Sequence, residues 1–240
     1  MTINEILNST EHRNWVKPKE SWRFYQEWNE AVFFHWKVEV DILQKYIPNG
    51  LEIDLFEGQA WVSLVVFKME KIRPKGFPAF SPISNFDEIN IRTYVKSGNK
   101  TGVYFLSIEA SSRISCFIAR KISELPYRFS NIKRSFGKIH SVNNTFEESL
   151  KIEYQLSENV NEKSDLDKWL TERYALFQDA DLKINSFDIH HLEWPLKAIE
   201  VSYFKLNYNR FENLIGNTPD KIQYSKGVKV LAWGKKQLNV

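Results

Sequence analysis

The stretch FDEINIRTYV, residues 86–95, decides the fold by its alternation. Read as a strand, it turns Phe86, Glu88, Asn90, Arg92 and Tyr94 to one side and Ile89, Ile91, Thr93 and Val95 to the other, because successive side chains point to opposite faces. The isoleucine side demands burial. The other side sets an acid, an amide and a guanidinium in a row between two aromatic rings. Alternation does not say what covers a polar face. An exposed ladder satisfies the pattern, and so does a lined cavity in which polar groups pair or meet a ligand.

Working outward, TGVYFLSIEA (101–110) follows across the turn KSGNK and completes a hairpin. Upstream, AVFFHWKVEV (31–40) is rich in β-branched and aromatic residues and reads as a strand. Asp41 offers an N-cap for a short helix, ILQKYI, stopped at Pro48-Asn49-Gly50. Residues 51–72 read as two strands around the turn Glu57-Gly58, and the proline-rich 73–85 as a loop able to act as a lid or rim. Downstream, SSRISCFIARKISELP places Ile114, Phe117, Ile118 and Ile122 at helical spacing, with Pro126 ending the helix. ESLKIEYQL (148–156) alternates again. SDLDKWLTERYALFQ (164–178) reads as a helix with Ser164 as cap and Leu166, Leu170 and Tyr174 as its stripe. The remainder is strand-like. The expectation is one α+β, mainly β domain over residues 1–240: a lead-in over 1–30, then a closed, mostly antiparallel β-barrel from 31 with a few helices.

Composition narrows the partners. Hydrophobic residues at 42% and charged residues at 26% match an ordinary globular chain, and aromatics at 15% suit strands and pocket walls. A net charge of +3 with no dense Lys/Arg run argues against nucleic acid. No apolar run approaches the roughly 20 residues of a membrane span, and MTINEILNST has no apolar core of a secretory signal. Cys116 is alone, so a reducing, cytoplasmic setting is expected. G-x-G-x-x-G, P-loop, H-E-x-x-H, C-x-x-C and G-x-S-x-G patterns are missing, so no cofactor is called for. His190-His191 does not suggest a metal, since adjacent strand residues diverge; one exposed ring and one hydrogen-bonded inside is the expectation. The partner expected is a small molecule, and nothing in the chain speaks to self-association.

Five ordered blocks carry a resemblance: VDILQKYIPNGLEIDLFEGQAWVSLVVF, FDEINIRTYV, GVYFLSIEASSRISCFIARKISELPYR, LTERYALF and HHLEWPL. Together they resemble the uncharacterised bacterial YqjF-like family, a relative of acetoacetate decarboxylase. The resemblance implies that enzyme's fold, a closed β-barrel around an apolar pocket. It also places the decarboxylase's active-site glutamate on Glu88. The decarboxylase's Pro-Lys-Lys, whose first lysine forms the Schiff base, falls on Pro126-Tyr127-Arg128, and its second glutamate falls near Trp61 and Val62, where there is no acid. Tyrosine cannot form an imine, so decarboxylation through a Schiff base is not expected.

The catalytic candidates are therefore Glu88 as base or anchor, Tyr127 as acid and Arg128 as carboxylate binder, with Glu88 and Arg128 expected to reach one cavity. Asn90, Arg92, Arg120, Arg173 and His191 are candidate ligand contacts. A buried ion pair of Glu88 with Arg92 or Arg120 is the structural alternative. Trp194-Pro195 and Cys116 read as packing residues, and only one of His35 and Trp36 faces inward. Three readings remain: a non-Schiff-base enzyme acting on a small carboxylate- or carbonyl-bearing compound, a non-catalytic binding or sensing module, and a structural or partner-binding protein.

Overall fold

The computed structural model describes residues 2–159, 162–180 and 183–238. The helices are α1 (Ile3–Asn8), α2 (Val40–Leu43), α3 (Ser81–Ser84), α4 (Arg113–Ser123) and α5 (Asp165–Thr171). The strands before α4 are β1 (Phe24–Val38), β2 (Glu52–Ile53), β3 (Ala60–Pro74), β4 (Phe86–Ser97) and β5 (Lys100–Ala110). Those after it are β6 (Tyr127–Phe129), β7 (Asn131–Ser135), β8 (Lys138–Asn143), β9 (Glu148–Asn159), β10 (Ala175–Ala180), β11 (Lys183–His190), β12 (Leu196–Asn207), β13 (Lys221–Ala232) and β14 (Lys236–Leu238). The molecule is mainly β.

The strands form one sheet in the order β14-β11-β10-β5-β4-β3-β1-β13-β12-β9-β8-β7, with β2 beside β4 and β6 beside β5. Pairing is antiparallel except for β10–β5 and β5–β6. β11 also pairs with β13, through Ile189–Ala232 and His190–Leu231. β1 and β3 are long, and β1 bends at a bulge between Asn29 and Val32, where Glu30 takes φ 48°. Opposite it Gly227 has φ 133°, and a Cβ there would lie 2.5 Å from Asn29 Oδ1 and Trp28 O, so only glycine fits.

Ile89 and Ile91 join the largest apolar cluster, with Val32 and Phe34 of β1, Leu64 and Val66 of β3, and Ile139, Leu150 and Ile152 from β8 and β9. The isoleucine face is thus roofed largely by a second arm of the same sheet. The opposite face holds Phe33, Val65, Phe67 and Val230 with Trp194, and Tyr94, Ile108 and Tyr127 with Leu170 of α5. Each such side chain removed wholly from water contributes about 1.5–3 kcal/mol.

Several expectations are corrected. The first strand begins at Phe24, inside the supposed lead-in, because the Glu30 bulge lets polar Gln26–Asn29 stay in register with β13. Helix α1 within the lead-in is docked: Ile6 is fully buried, and its carbonyl accepts from His190 Nε2 at 2.7 Å. Glu39, not Asp41, precedes α2, which gives way to a 3-10 turn at Gln44–Tyr46. α5 stops at Thr171, and Ala175 begins β10, so Tyr174 lies beyond the helix. α4 forms where its spacing predicts, capped by Ser112, but it packs through Ser115 and Cys116. Its stripe faces outward, with Ile114 60% and Phe117 57% exposed. His190 and His191 are both buried. Among the described residues no helix is long and apolar enough to cross a membrane.

Candidate functional site

Register places the site. β4 pairs Glu88 with Ala110 and Asn90 with Ile108 of β5, and β6 sets Tyr127 beside Ile108. Glu88, Asn90 and Tyr127 therefore share a face. The Tyr127 hydroxyl donates to Glu88 Oε2 at 2.8 Å, and Asn90 Nδ2 donates to Oε1 at 3.1 Å. Glu88 is 2% exposed. Burial pushes its pKa up to about 7, while the two hydrogen bonds and the positive charge of Arg92 pull the other way. The Tyr127 phenol is driven well above its usual value by burial and by Glu88.

Arg92 completes the row. It is buried, with its guanidinium 5.7 Å from the Phe33 ring, and burial lowers its pKa. Its Nε and Nη2 have no hydrogen-bond partner among the described residues, and neither has Asn90 Oδ1. Native buried polar atoms rarely stay unpaired, and each one costs about 1–3 kcal/mol. Glu88 is bonded by Tyr127 and Asn90 rather than by a cation, so the row is neither an exposed ladder nor a closed ion pair.

A polar chain continues across the same face. The Tyr94 hydroxyl lies 3.0 Å from Leu170 O and donates to Ser63 Oγ at 2.6 Å, and Ser63 Oγ lies 2.7 Å from His35 Nδ1. His35 Nε2 lies 3.0 Å from Gln223 Oε1. That oxygen only accepts, so Nε2 carries the proton and Nδ1 accepts from Ser63. Gln223 Nε2 then donates to Asp167, which Lys221 pairs at 2.7 Å. Burial, aided by Arg92, lowers the His35 pKa to about 3, which keeps the ring neutral. Of the inward choice between His35 and Trp36, His35 joins this face. Ser63 was the available signal, as the one polar break in the run AWVSLVVF; Gln223 and Asp167 had none.

Arg128 does not reach Glu88. It follows Tyr127 on β6 and pairs with Glu109, so it points to the other face of the sheet. The expectation of one cavity shared by Glu88 and Arg128 fails for that reason. Arg120, on α4, donates to Tyr127 O at 3.0 Å and supports the site through backbone. Arg173 Nε donates to Trp169 O at 2.6 Å and Nη1 to Asp54 Oδ2 at 2.5 Å, while its plane lies over Trp169 and Tyr94. It clamps the end of α5 over the polar face. His191 Nδ1 donates to Leu192 O at 2.7 Å, and its ring packs against Tyr174 and Trp194. Neither of two surface clefts, of 470 and 420 Å³, is lined by Glu88.

The fold is that of acetoacetate decarboxylase-like proteins. Acetoacetate decarboxylase from Legionella pneumophila superposes with a TM-score of 0.61, at 13% identity over 97% of this chain and 94% of that one. The enduracididine biosynthesis enzyme MppR with HEPES buffer bound gives 0.63 at 10% identity, over 95% and 91% of the two chains, and the same enzyme complexed with pyruvate gives 0.60. Residues 25–229 match DUF2071, an uncharacterized conserved protein, and the chain belongs to that family. The uncharacterized protein YqjF of Bacillus subtilis (strain 168) is 32% identical over 234 residues, covering 93% of this chain and 96% of that protein.

Proposed function

We propose that this protein binds a small 2-oxo acid beside Glu88 and moves a proton on it without a Schiff base. The observation that carries the reading is Glu88 itself, a buried carboxyl with a pKa of about 7, held by Tyr127 and Asn90. A general base works best with a pKa near the working pH. On the same face Arg92 presents Nε and Nη2 with no protein partner among the described residues, a donor pair suited to a ligand carboxylate. MppR has been solved with pyruvate, which carries a carboxylate and a carbonyl, and that complex supports the choice of substrate class.

In the proposed step the ionised Glu88 takes a proton from the carbon next to the ligand carbonyl. The C–H electron pair becomes the new C=C bond, and the carbonyl π pair moves onto oxygen. Once protonated, Glu88 no longer needs the Tyr127 proton, and the phenol is free to turn its O–H to the enolate oxygen. Return of the proton reverses the step. Arg92 holds the carboxylate throughout. In this reading β11–β13 is the seam that closes β11-β10-β5-β4-β3-β1-β13 into a barrel around the ligand. The buried, lone Cys116 fits work in a reducing cytoplasm.

The test follows the methyl protons of pyruvate by NMR in deuterated water. Wild-type protein should accelerate their exchange, Glu88→Gln should abolish the acceleration, and Arg92→Met should abolish binding while raising the melting temperature. Binding without exchange would remove the catalytic half and leave a sensing module. If pyruvate and longer 2-oxo acids neither bind nor shift the melting curve, the reading fails.

A further inference from the structure

The 420 Å³ cleft lies between α4 and the β8–β9 turn, at β6, and Glu88 does not line it. Its wall includes Arg113, Arg120, Arg128, Asn131, Asn143 and Phe146, and among the described residues no acidic one lines it. Three guanidiniums around one cleft repel one another unless an anion sits among them. Two of the three planes are fixed by stacking: Arg113 lies 3.8 Å from the centre of the Phe129 ring and Arg128 4.5 Å from that of Phe146. Stacking of this kind leaves the edge N–H groups free to donate. Arg128 Nη1 is buried and has no partner among the described residues. Arg120 spends Nη1 on Tyr127 O.

The helix adds to the field. Arg113 is the first residue of α4, and the first turn holds no acid. A cation at the positive end of a helix is unfavourable, and an anion there is favourable. The carboxylates behind the cleft do not cancel this. Glu148 is engaged bidentately by Arg210 at 2.6 and 2.8 Å. Glu109 accepts from Ser130, and burial biases it toward its neutral form.

We propose that this cleft is a second binding site, for a small doubly charged oxyanion, separate from the Glu88 site. The shared chemistry is that of a phosphate monoester or a dicarboxylate, and the aromatic lining suits an organic remainder. The experiment titrates the full chain with inorganic phosphate, succinate and, as a control at matched ionic strength, chloride, by calorimetry and thermal shift. Phosphate or succinate should bind where chloride does not, and the tighter of the two names the source. Arg113→Gln/Arg120→Gln changes two exposed positions, so the protein should still fold, and it should lose about tenfold or more in affinity, the scale of lost charge-assisted bonds. Arg128→Gln should weaken binding as well, and Glu88→Gln should leave it unchanged. Binding of neither dianion, equal binding in the double variant, or loss of binding in Glu88→Gln would overturn the proposal. The first two leave the pyruvate reading untouched.

Discussion

Glu88 and Glu109 lie on neighbouring strands, both buried, on opposite faces of one sheet, and the protein surrounds them differently. Glu109 accepts from Ser130 in a region where Glu148 and Arg210 form a closed bidentate pair. Glu88 has a phenol and an amide, while Arg92, four residues along the same strand, keeps Nε and Nη2 without a partner among the described residues. The Glu109 side closes one carboxylate on a guanidinium, Glu148 on Arg210, although Glu109 Oε1 itself has no hydrogen-bond partner among the described residues. On the Glu88 side both carboxyl oxygens are bonded, but by a phenol and an amide, and no guanidinium closes on the carboxyl. A buried network that is only partly satisfied is costly, and such sites are where function is expected.

The largest expected effect lies on the Glu109 side. Arg210→Met would strand Glu148, whose side chain is 0% exposed, and should cost about 3–5 kcal/mol in urea unfolding. Adding Glu148→Gln should recover part of the loss. If Arg210→Met costs nothing, the pair is not the strut that distinguishes this face.

The second effect belongs to Glu88 and depends on pH. Its pKa is raised from 4.5 to about 7 on folding, so the native state holds a proton that the unfolded chain releases. That contribution is complete below pH 4.5 and is lost as pH rises through 7, a fall of about 3 kcal/mol. Glu88→Gln should remove this slope, so the difference between variant and wild type grows between these limits. A parallel pair of stability–pH curves would show that Glu88 titrates normally.

Tyr127→Phe should have a smaller effect, about 1–3 kcal/mol, by leaving Glu88 Oε2 without its donor. Because the phenol stabilises the ionised carboxyl, its removal should raise the Glu88 pKa further, which carboxyl-carbon NMR can follow. The smallest effect is none. Borohydride with pyruvate or acetoacetate should leave the mass of the protein unchanged, since the sequence resemblance sets Tyr127, which cannot form an imine, against the decarboxylase's Schiff-base lysine. An adduct on any lysine would erase the chemical distinction drawn for this face.

Much of this was legible before the structure. Alternation over 86–95 and the turn at KSGNK were enough for the β4–β5 hairpin, and the row of Glu88, Asn90 and Arg92 follows from a period of two. The same period argues against a cavity shared by Tyr127 and Arg128, because adjacent strand residues diverge; once Tyr127–Phe129 is known to be a strand, the outcome follows. α4 shows the opposite limit. Its helical spacing is a local property and held, but periodicity reports only that an apolar stripe exists, and Ile114 and Phe117 face outward.

Local sequence therefore determined the elements, the polar row and the absence of an imine-forming lysine at position 127, because backbone geometry and side-chain chemistry act within a few residues. Which polar groups meet was decided only by tertiary structure. Tyr127 reaches Glu88 across 39 residues of chain and His35 reaches Gln223 across 188, and both contacts depend on strand register. Register is set by the summed packing of whole faces, so no single stretch of the chain contains it.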